Sequence, residues 1–384
     1  MKLASRPFLQ GDEHSIVNLY NRITGRNRTV TQHRWEWLST PEGAGSSWVI
    51  YEVDSGEIVG HHGLIPIRIS CFGKGFLGGK TENTLLHPKF TGTGIYFLHE
   101  RRFLQEAQQR FDLLFTNLSI GTPSKIRRKL GYHPVGGYVN YLKILNHSAF
   151  DRIVDAVVEK HMGTGKVGKI SRRFLRGFKR ASMAFFRKRT HINERLELEI
   201  LAAADLPRYA AALDAFWEQV KDRLGITVER TTRYLQWRLF ENPNVDYDFL
   251  MATDNGEIAG YVVAQLRKNE PGVGVITDLV CDPDNRSCFN TLLNKAVKRL
   301  EHAGADIVRF PTLESNNFLN RWVTSNGFVA LNRLPSFLHR TAKAPPDVIE
   351  PVLLVKTINS AVDQTRVFDP RCWYYTDLFT EGIL

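Results

Sequence analysis

The sequence states one pattern twice. Asp54-Ser55-Gly56-Glu57-Ile58-Val59-Gly60 recurs 200 residues later as Asp254-Asn255-Gly256-Glu257-Ile258-Ala259-Gly260. Trp35 and Pro41 have the same separation as Trp237 and Pro243. Downstream, Thr81-Glu82-Asn83-Thr84-Leu85-Leu86-His87-Pro88 is answered by Ile276-Thr277-Asp278-Leu279-Val280-Cys281-Asp282-Pro283. From there 43 residues lead to Gly131-Tyr132 and 44 to Gly327-Phe328. A period this long describes two related domains, not a solenoid of short repeats. The copies diverge at the next turn. The first has Lys89-Phe90-Thr91-Gly92-Thr93-Gly94, and the second has Asp284-Asn285-Arg286-Ser287-Cys288-Phe289, without glycine.

A chain of 384 residues suits two domains, and hydrophobic content of 43% is enough to build cores, which excludes global disorder. No apolar run reaches the length of a membrane span, and Met1 to Pro7 lacks the apolar core of a signal peptide. Cys71, Cys281, Cys288 and Cys372 show neither paired nor metal-ligand spacing and read as small apolar residues. These features lead us to expect a cytoplasmic protein. The net charge of +11 is local, because Lys160 to Arg189 holds eleven Lys/Arg and no Asp/Glu and the remainder is neutral. That distribution argues against a general nucleic-acid binder.

Residues 1–40 read as helical stretches. Strands are expected at Ser47–Val53, Ile58–Ile65 and Ile67–Phe72, then a glycine-rich turn over Gly73–Gly79 and a strand at Thr81–His87. Apolar spacing predicts a helix from Ile95 to Arg110, a buried strand Phe111–Leu118, and a short helix Pro123–Leu130 ended by Gly131. Tyr138–Leu145 is read as the strand that closes the first unit. The second unit begins near Leu196 and repeats the order, with helices Leu206–Val220, Thr231–Phe240, Phe289–Ala303 and Asn316–Asn326 among strands. The tail suggests a helix plus a strand around Trp373-Tyr374-Tyr375. The class is α/β. Boundaries follow at 1–150, a basic connector 151–195, 196–345, and a tail 346–384.

The pattern Lys89-x-x-Gly92-x-Gly94 follows a strand and opens a helix. Glycines let backbone amides approach an anion, and a helix N-terminus adds unpaired N–H groups. With Gly131-Tyr132 and the order of elements, this resembles the GNAT (N-acetyltransferase) superfamily, arranged in tandem with a degenerate second copy. The resemblance implies two GNAT-like domains, each a mixed sheet flanked by helices. It implies acetyl-CoA or another acyl-CoA as co-substrate, held by Leu85, Leu86, Lys89, Thr91, Gly92, Thr93, Gly94 and Asn117, in the first unit only. Departures are Thr91, where the family often has arginine, and Arg127, where many members carry a tyrosine acid.

Glu82 lies on the strand that borders the acceptor in such a fold, and is a candidate base for an incoming ammonium. His62, or its neighbour His61, is the other candidate. Strand alternation sends His61 and His62 to opposite faces; it places Glu82, Thr84 and Leu86 on one face and Asn83 and Leu85 on the other. His99-Glu100 lacks the second histidine of a zinc helix, since position 103 is Phe, so no metal is expected. Gly163 to Lys169 nearly spells a phosphate loop but is followed by Ile170, which excludes nucleotide hydrolysis. Ile170, Phe174, Phe178, Ala181 and Phe185 form one helical stripe among basic residues. Such a helix can lie on an anionic membrane or pack on the second domain. The functional expectation is acyl-CoA-dependent acyl transfer, most simply acetyl, to the amine of an amino sugar or glycan precursor. The alternatives are a Fem-type aminoacyl transferase and a non-catalytic acyl-CoA-binding protein.

Overall fold

The computed structural model describes residues 2–118, 122–162, 165, 168–171, 173, 192–315, 317–330 and 352–379. The first unit comprises β1 (Leu3–Pro7), α1 (Asp12–Thr24), α2 (Val30–Leu38), β2 (Ser46–Glu52), β3 (Ile58–Cys71), β4 (Lys74–Leu86), α3 (Ile95–Arg110), β5 (Leu113–Leu118), α4 (Thr122–Lys129), β6 (His133–Ile144) and α5 (His147–Met162). The second comprises β7 (Glu197–Leu201), α6 (Leu206–Val220), β8 (Ile226–Val228) and α7 (Thr232–Leu235, continued as a π turn to Phe240). It continues through β9 (Asp248–Asp254), β10 (Glu257–Leu266), β11 (Val273–Cys281), α8 (Arg286–His302), β12 (Ile307–Leu313), α9 (Phe318–Ser325) and β13 (Val329–Ala330). The tail supplies β14 (Val352–Thr357). The basic stripe of Phe174, Phe178, Ala181 and Phe185 lies outside the described residues. Among the described residues no helix is long and apolar enough to cross a membrane.

Several expectations are corrected. The N-terminal stretch begins with a strand, whose Arg6 pairs with Val49 of β2. The two strands expected around Pro66 are one, β3, in which Pro66 faces Gly79. Only Phe72 and Gly73 turn tightly after it, with φ of 52° and 83°. Gly78 and Gly79 lie inside β4 for a different reason. A Cβ on Gly78 would come within 2.9 Å of Ile69, and one on Gly79 within 2.8 Å of Leu114. The glycines permit close packing there.

The strands hydrogen-bond in the order β1-β2-β3-β4-β5-β14-β6-β12-β11-β10-β9-β7, with β8 on β3 and β13 on β6. In both units one parallel pair splays. β4 and β5 pair only at Gly78–Leu113, Gly79–Leu114 and Lys80–Phe115, and β11 and β12 only at Val273–Ile307, Gly274–Val308 and Val275–Arg309.

The expectation that Tyr138–Leu145 closes the first unit is overturned. His133 to Gly137 of β6 pair with β14, whereas Tyr138 to Ile144 pair with β12. The last strand of the first unit therefore completes the second unit's sheet, next to β13. In exchange, β14 comes from the tail and inserts between β5 and β6, pairing Leu353 with Asn117 on one side and Gly136 on the other. The strand expected around Trp373–Tyr375 thus lies earlier in the tail. Trp373 makes only an isolated bridge to Ile226. Period-two patterning finds a strand but not its partner, which is why the exchange escapes it.

The repeat is also visible in side chains. Thr29 and Thr231 each cap the helix that follows. Trp35 and Trp237, at matching places in the repeat, stack with ring centres 5.3 Å apart. Trp35 Nε1 donates to the Trp237 carbonyl at 3.0 Å, and Trp237 Nε1 to the Trp35 carbonyl at 3.1 Å. One hydrophobic core runs through both units, from Ile65 and Phe115 to Phe249, Leu313 and Trp373.

A truncation at the centre of β14 tests the exchange. Leu353 is fully buried, so Leu353→Ala is expected to lose about 2–5 kcal/mol. Urea unfolding should remain a single transition. Amide exchange should accelerate in β5 and in β12 together, because both depend on the interlocked strands.

Candidate functional site

The first unit's turn has the geometry of an anion cradle. Gly92 and Gly94 have φ of +85° and +76°, in the left-handed region that favours glycine, and a Cβ at either would meet nothing within 4 Å. The space above the turn is open, so a side chain there would be opposed by backbone strain, not by a clash. Gly94 caps α3 without any side-chain hydrogen bond, and the first N–H groups of a helix have no intrahelical acceptor. Lys89, Thr91 and Thr93 are exposed around it. Backbone donors, helix dipole and lysine together suit a pyrophosphate.

The equivalent turn in the second unit is closed to an anion. The Asn285 side chain caps α8, accepting from Cys288 N at 3.0 Å. Asp282 and Asp284 flank it, both bound by Arg223. The slot between β11 and β12 is filled by the tail. The turn Asp377–Phe379 packs on both strands, the Tyr374 hydroxyl donates to the Leu279 carbonyl, and Thr376 Oγ1 donates to Asp278 at 2.8 Å. Asp278 is held bidentately by Arg230 at 2.8 and 3.0 Å, both fully buried.

Between β4 and β5 of the first unit, the residues nearest the turn diverge from simple alternation. Gly63 pairs with Glu82 and His61 with Leu85, so β4 carries an extra residue opposite His62. This bulge breaks the predicted pattern of Glu82, Thr84 and Leu86 on one face. Glu82 shares a face with Lys80 and is ion-paired to it. Its partner Gly63 lies against Trp37 of α2. Thr84 lies on the α3 face, within reach of Arg127 at 3.0 Å. Leu86 packs with Phe90 and Ile95, whereas Leu85 packs on α1 against Ile16, Leu19 and Tyr20. His61 and His62 do face opposite ways: His61 meets Ser47 Oγ at 2.8 Å, beside His33 and Trp37, and His62 faces α3. Asn117 lies on the far face of β5, where it donates to the Tyr375 hydroxyl of the tail. The structure therefore gathers Leu86, Lys89, Thr91, Gly92, Thr93, Gly94 and His62 on the α3 side, and Glu82, Leu85 and Asn117 on the other.

On the α3 side lies a buried polar cluster that sequence reasoning did not assemble. Arg127 of α4 is fully buried. Its guanidinium donates to Glu100 of α3 at 3.2 and 3.3 Å, to Thr84 of β4 at 3.0 Å and to Thr116 of β5 at 2.9 Å. It thereby spans the opening between the two strands. His62 Nε2 lies 3.3 Å away, and the Tyr96 hydroxyl donates to Glu100. Burial by itself disfavours the Arg127 charge, but Tyr96 and Glu100 outweigh it, and the pKa is raised. Burial, then Arg127, holds His62 well below the usual imidazole range, and burial lowers His99 to about 4. His62 Nδ1 and Glu100 Oε2 are buried without a hydrogen-bond partner among the described residues. Tyr96 and Glu100, one turn apart on α3, were the available sequence signal. Residues of the cradle fit an acyl-CoA pyrophosphate.

Two outcomes follow from this burial. Arg127→Met leaves Glu100 uncompensated and should lower stability by about 3–5 kcal/mol, with part of the loss restored by adding Glu100→Gln. His33 is lowered to about 4, chiefly by burial, as is His99. With folded pKa values below the unfolded 6.5, the unfolded chain takes up these protons first. Stability is thus complete above the unfolded pKa and is lost as pH falls toward 4. Urea midpoints should be lower at about pH 5 than at about pH 7, and His99→Phe should flatten that dependence.

No protein-family model and no curated protein matches the sequence. Solved structures do resemble the fold. A probable N-acyltransferase from Enterococcus faecalis superposes with a TM-score of 0.60 at 11% identity, covering 93% of this chain and 73% of its own. A GCN5-related N-acetyltransferase from Anabaena variabilis gives 0.57 at 12%, covering 93% and 73%. A tandem GNAT protein from the clavulanic acid biosynthesis pathway gives 0.55 at 12%, covering 93% of this chain and 99% of its own. The overall arrangement described above is thus the fold of these acyltransferase structures, the tandem GNAT protein included.

Proposed function

We propose that the protein is an acyl-CoA-dependent N-acyltransferase with one coenzyme site, in the first unit. The observation that carries this reading is the contrast between the two helix N-termini. One opens on left-handed glycines with no side-chain cap, and the other is capped by Asn285 and flanked by aspartates. Gly92, Gly94 and the backbone at the start of α3 would hold the pyrophosphate, with Lys89 adding charge. Acyl-CoA supplies an activated thioester carbonyl when bound.

This chain's own contributions are orientation and charge. The β4 bulge leaves one residue outside the ladder, and a backbone N–H so released can polarise a carbonyl oxygen. Glu82, on the opposite face, is the proposed proton acceptor for an approaching ammonium. Holding the two partners in line supplies most of the acceleration. Arg127 cannot release a proton, so it acts through charge at the tyrosine's usual place. Acetyl transfer to an amino sugar or glycan precursor remains the specific reaction we favour. A cytoplasmic location and membrane contact through residues 160–189 belong to the same proposal.

Calorimetry with acetyl-CoA and a longer acyl-CoA tests the site. Binding should saturate at one molecule per chain. Gly92→Asp or Gly94→Asp should reduce affinity at least about tenfold, by strain and by charge against pyrophosphate. Changing Asp284, Asn285 and Arg286 together should leave affinity unaltered. Unchanged binding in a folded Gly92→Asp variant would remove the assignment. Glu82→Gln should lower kcat by about 10²–10⁴ while coenzyme affinity stays near wild type.

A further inference from the structure

A cleft of about 500 Å³ lies between the units, walled by the α1–α2 connection on one side and by the residues around β9 and the β10–β11 turn on the other. Its volume falls within the range of small-molecule sites. Arg26, Arg28, Arg267 and Lys268 line it, against one carboxylate, Asp246, which pairs with Lys268 at 2.7 Å on the exposed rim. Gln32 and Gln265 are among the amides between them. Two of the guanidiniums are anchored from behind. Arg28 is ion-paired to buried Glu36 and lies 4.8 Å over the Tyr20 ring, and Arg267 reaches Asp377 at 4.0 Å. Cations fixed before a ligand arrives lose less freedom on binding it.

One wall of the cleft is joined through the core to the face of β4 that carries Glu82. Tyr20, in its wall, packs with Leu85, three residues along the strand from Glu82. On the other flank, Asp377 accepts from the Tyr138 hydroxyl at 3.2 Å, and Tyr375 meets Asn117 of β5. Buried contacts thus link the basic rim to β5, on the side away from the α3 cradle.

We propose that this cleft binds the acceptor, and that the acceptor is a hydroxyl-rich amine bearing an anionic group, phosphate or carboxylate. Guanidinium groups match both anions bidentately, and the exposed side-chain amides of Asn27 and Asn269, also in the lining, can serve hydroxyls as donor and acceptor. This inference rests on the acyl-transfer reading of the same site. In the reaction, the amine nitrogen forms a bond to the acyl carbon, the carbon–sulfur bond breaks, and the proton shed by nitrogen balances the one taken up by the released thiol.

Thiol release from acetyl-CoA, measured with glucosamine, glucosamine 6-phosphate and muramic acid, tests the class. One of the anionic amines should exceed glucosamine in kcat/KM by at least about tenfold, and which one identifies the anion. Replacing the rim cations, Arg26→Gln with Lys268→Gln, should reduce that preference by about tenfold or more while calorimetric acetyl-CoA affinity is unchanged. Glucosamine equal to or better than both anionic amines overturns the proposal. So does a preference that survives undiminished both in the double variant and in a variant that also carries Arg267→Gln. Calorimetry with glucosamine 6-phosphate and muramic acid alone, without coenzyme, separates the two readings. Binding of either that is lost in the double variant supports the cleft even if acetyl-CoA does not bind, whereas no binding of either alongside normal acetyl-CoA binding overturns the cleft alone.

Discussion

Everything in this molecule depends on the exchange of closing strands. A splayed pair of strands leaves each sheet needing one more strand, and each unit obtains it from elsewhere in the chain. β6 begins in the first sheet and ends in the second, while β14 returns from the tail to lie between β5 and β6. Backbone groups in a buried ladder must be paired, so neither unit can satisfy its central strands alone. β8 adds a third link by pairing with β3. The Trp35–Trp237 pair, in which each indole donates to the other's backbone, fixes the two units face to face. The interunit cleft inherits its shape from these constraints.

The two units bury charge on opposite faces of their sheets. In the first unit the slot beside the glycine turn contains a charged network around Arg127, with two polar atoms left unpartnered among the described residues. In the second, Tyr374, Thr376 and Phe379 of the chain's own tail pack around a fully paired Arg230–Asp278, on the face away from α8. Buried charge is tolerated in both because it is matched, but only the second arrangement is complete in itself. The tail that packs in the second half also braces β5 of the other half through Asn117 and Phe115.

Legibility in the sequence followed the range of the interactions. The duplication, most elements and the glycine turn are local, and the residues announce them. Gly92 and Gly94 adopt the left-handed conformations their type suggests. The face assignments of β4 failed at one bulge, because alternation holds only while every residue is paired. Pairing between β6, β12 and β14 is nonlocal, and a strand pattern carries no address for its partner. The Arg127 cluster draws on five separate elements, so only Tyr96 and Glu100, which share one helix, left a periodic trace.

The exchange also sets an order of events during synthesis. β5 and β6 leave the ribosome early, yet the strand that belongs between them is among the last to appear. At typical elongation rates that gap lasts on the order of 10 s or more. Throughout it, the nascent first half carries two unpaired strand edges facing each other, a surface prone to wrong pairing. Chaperone occupancy, or a slow tempo of translation, would weigh on this protein more heavily than on a tandem protein whose halves close themselves.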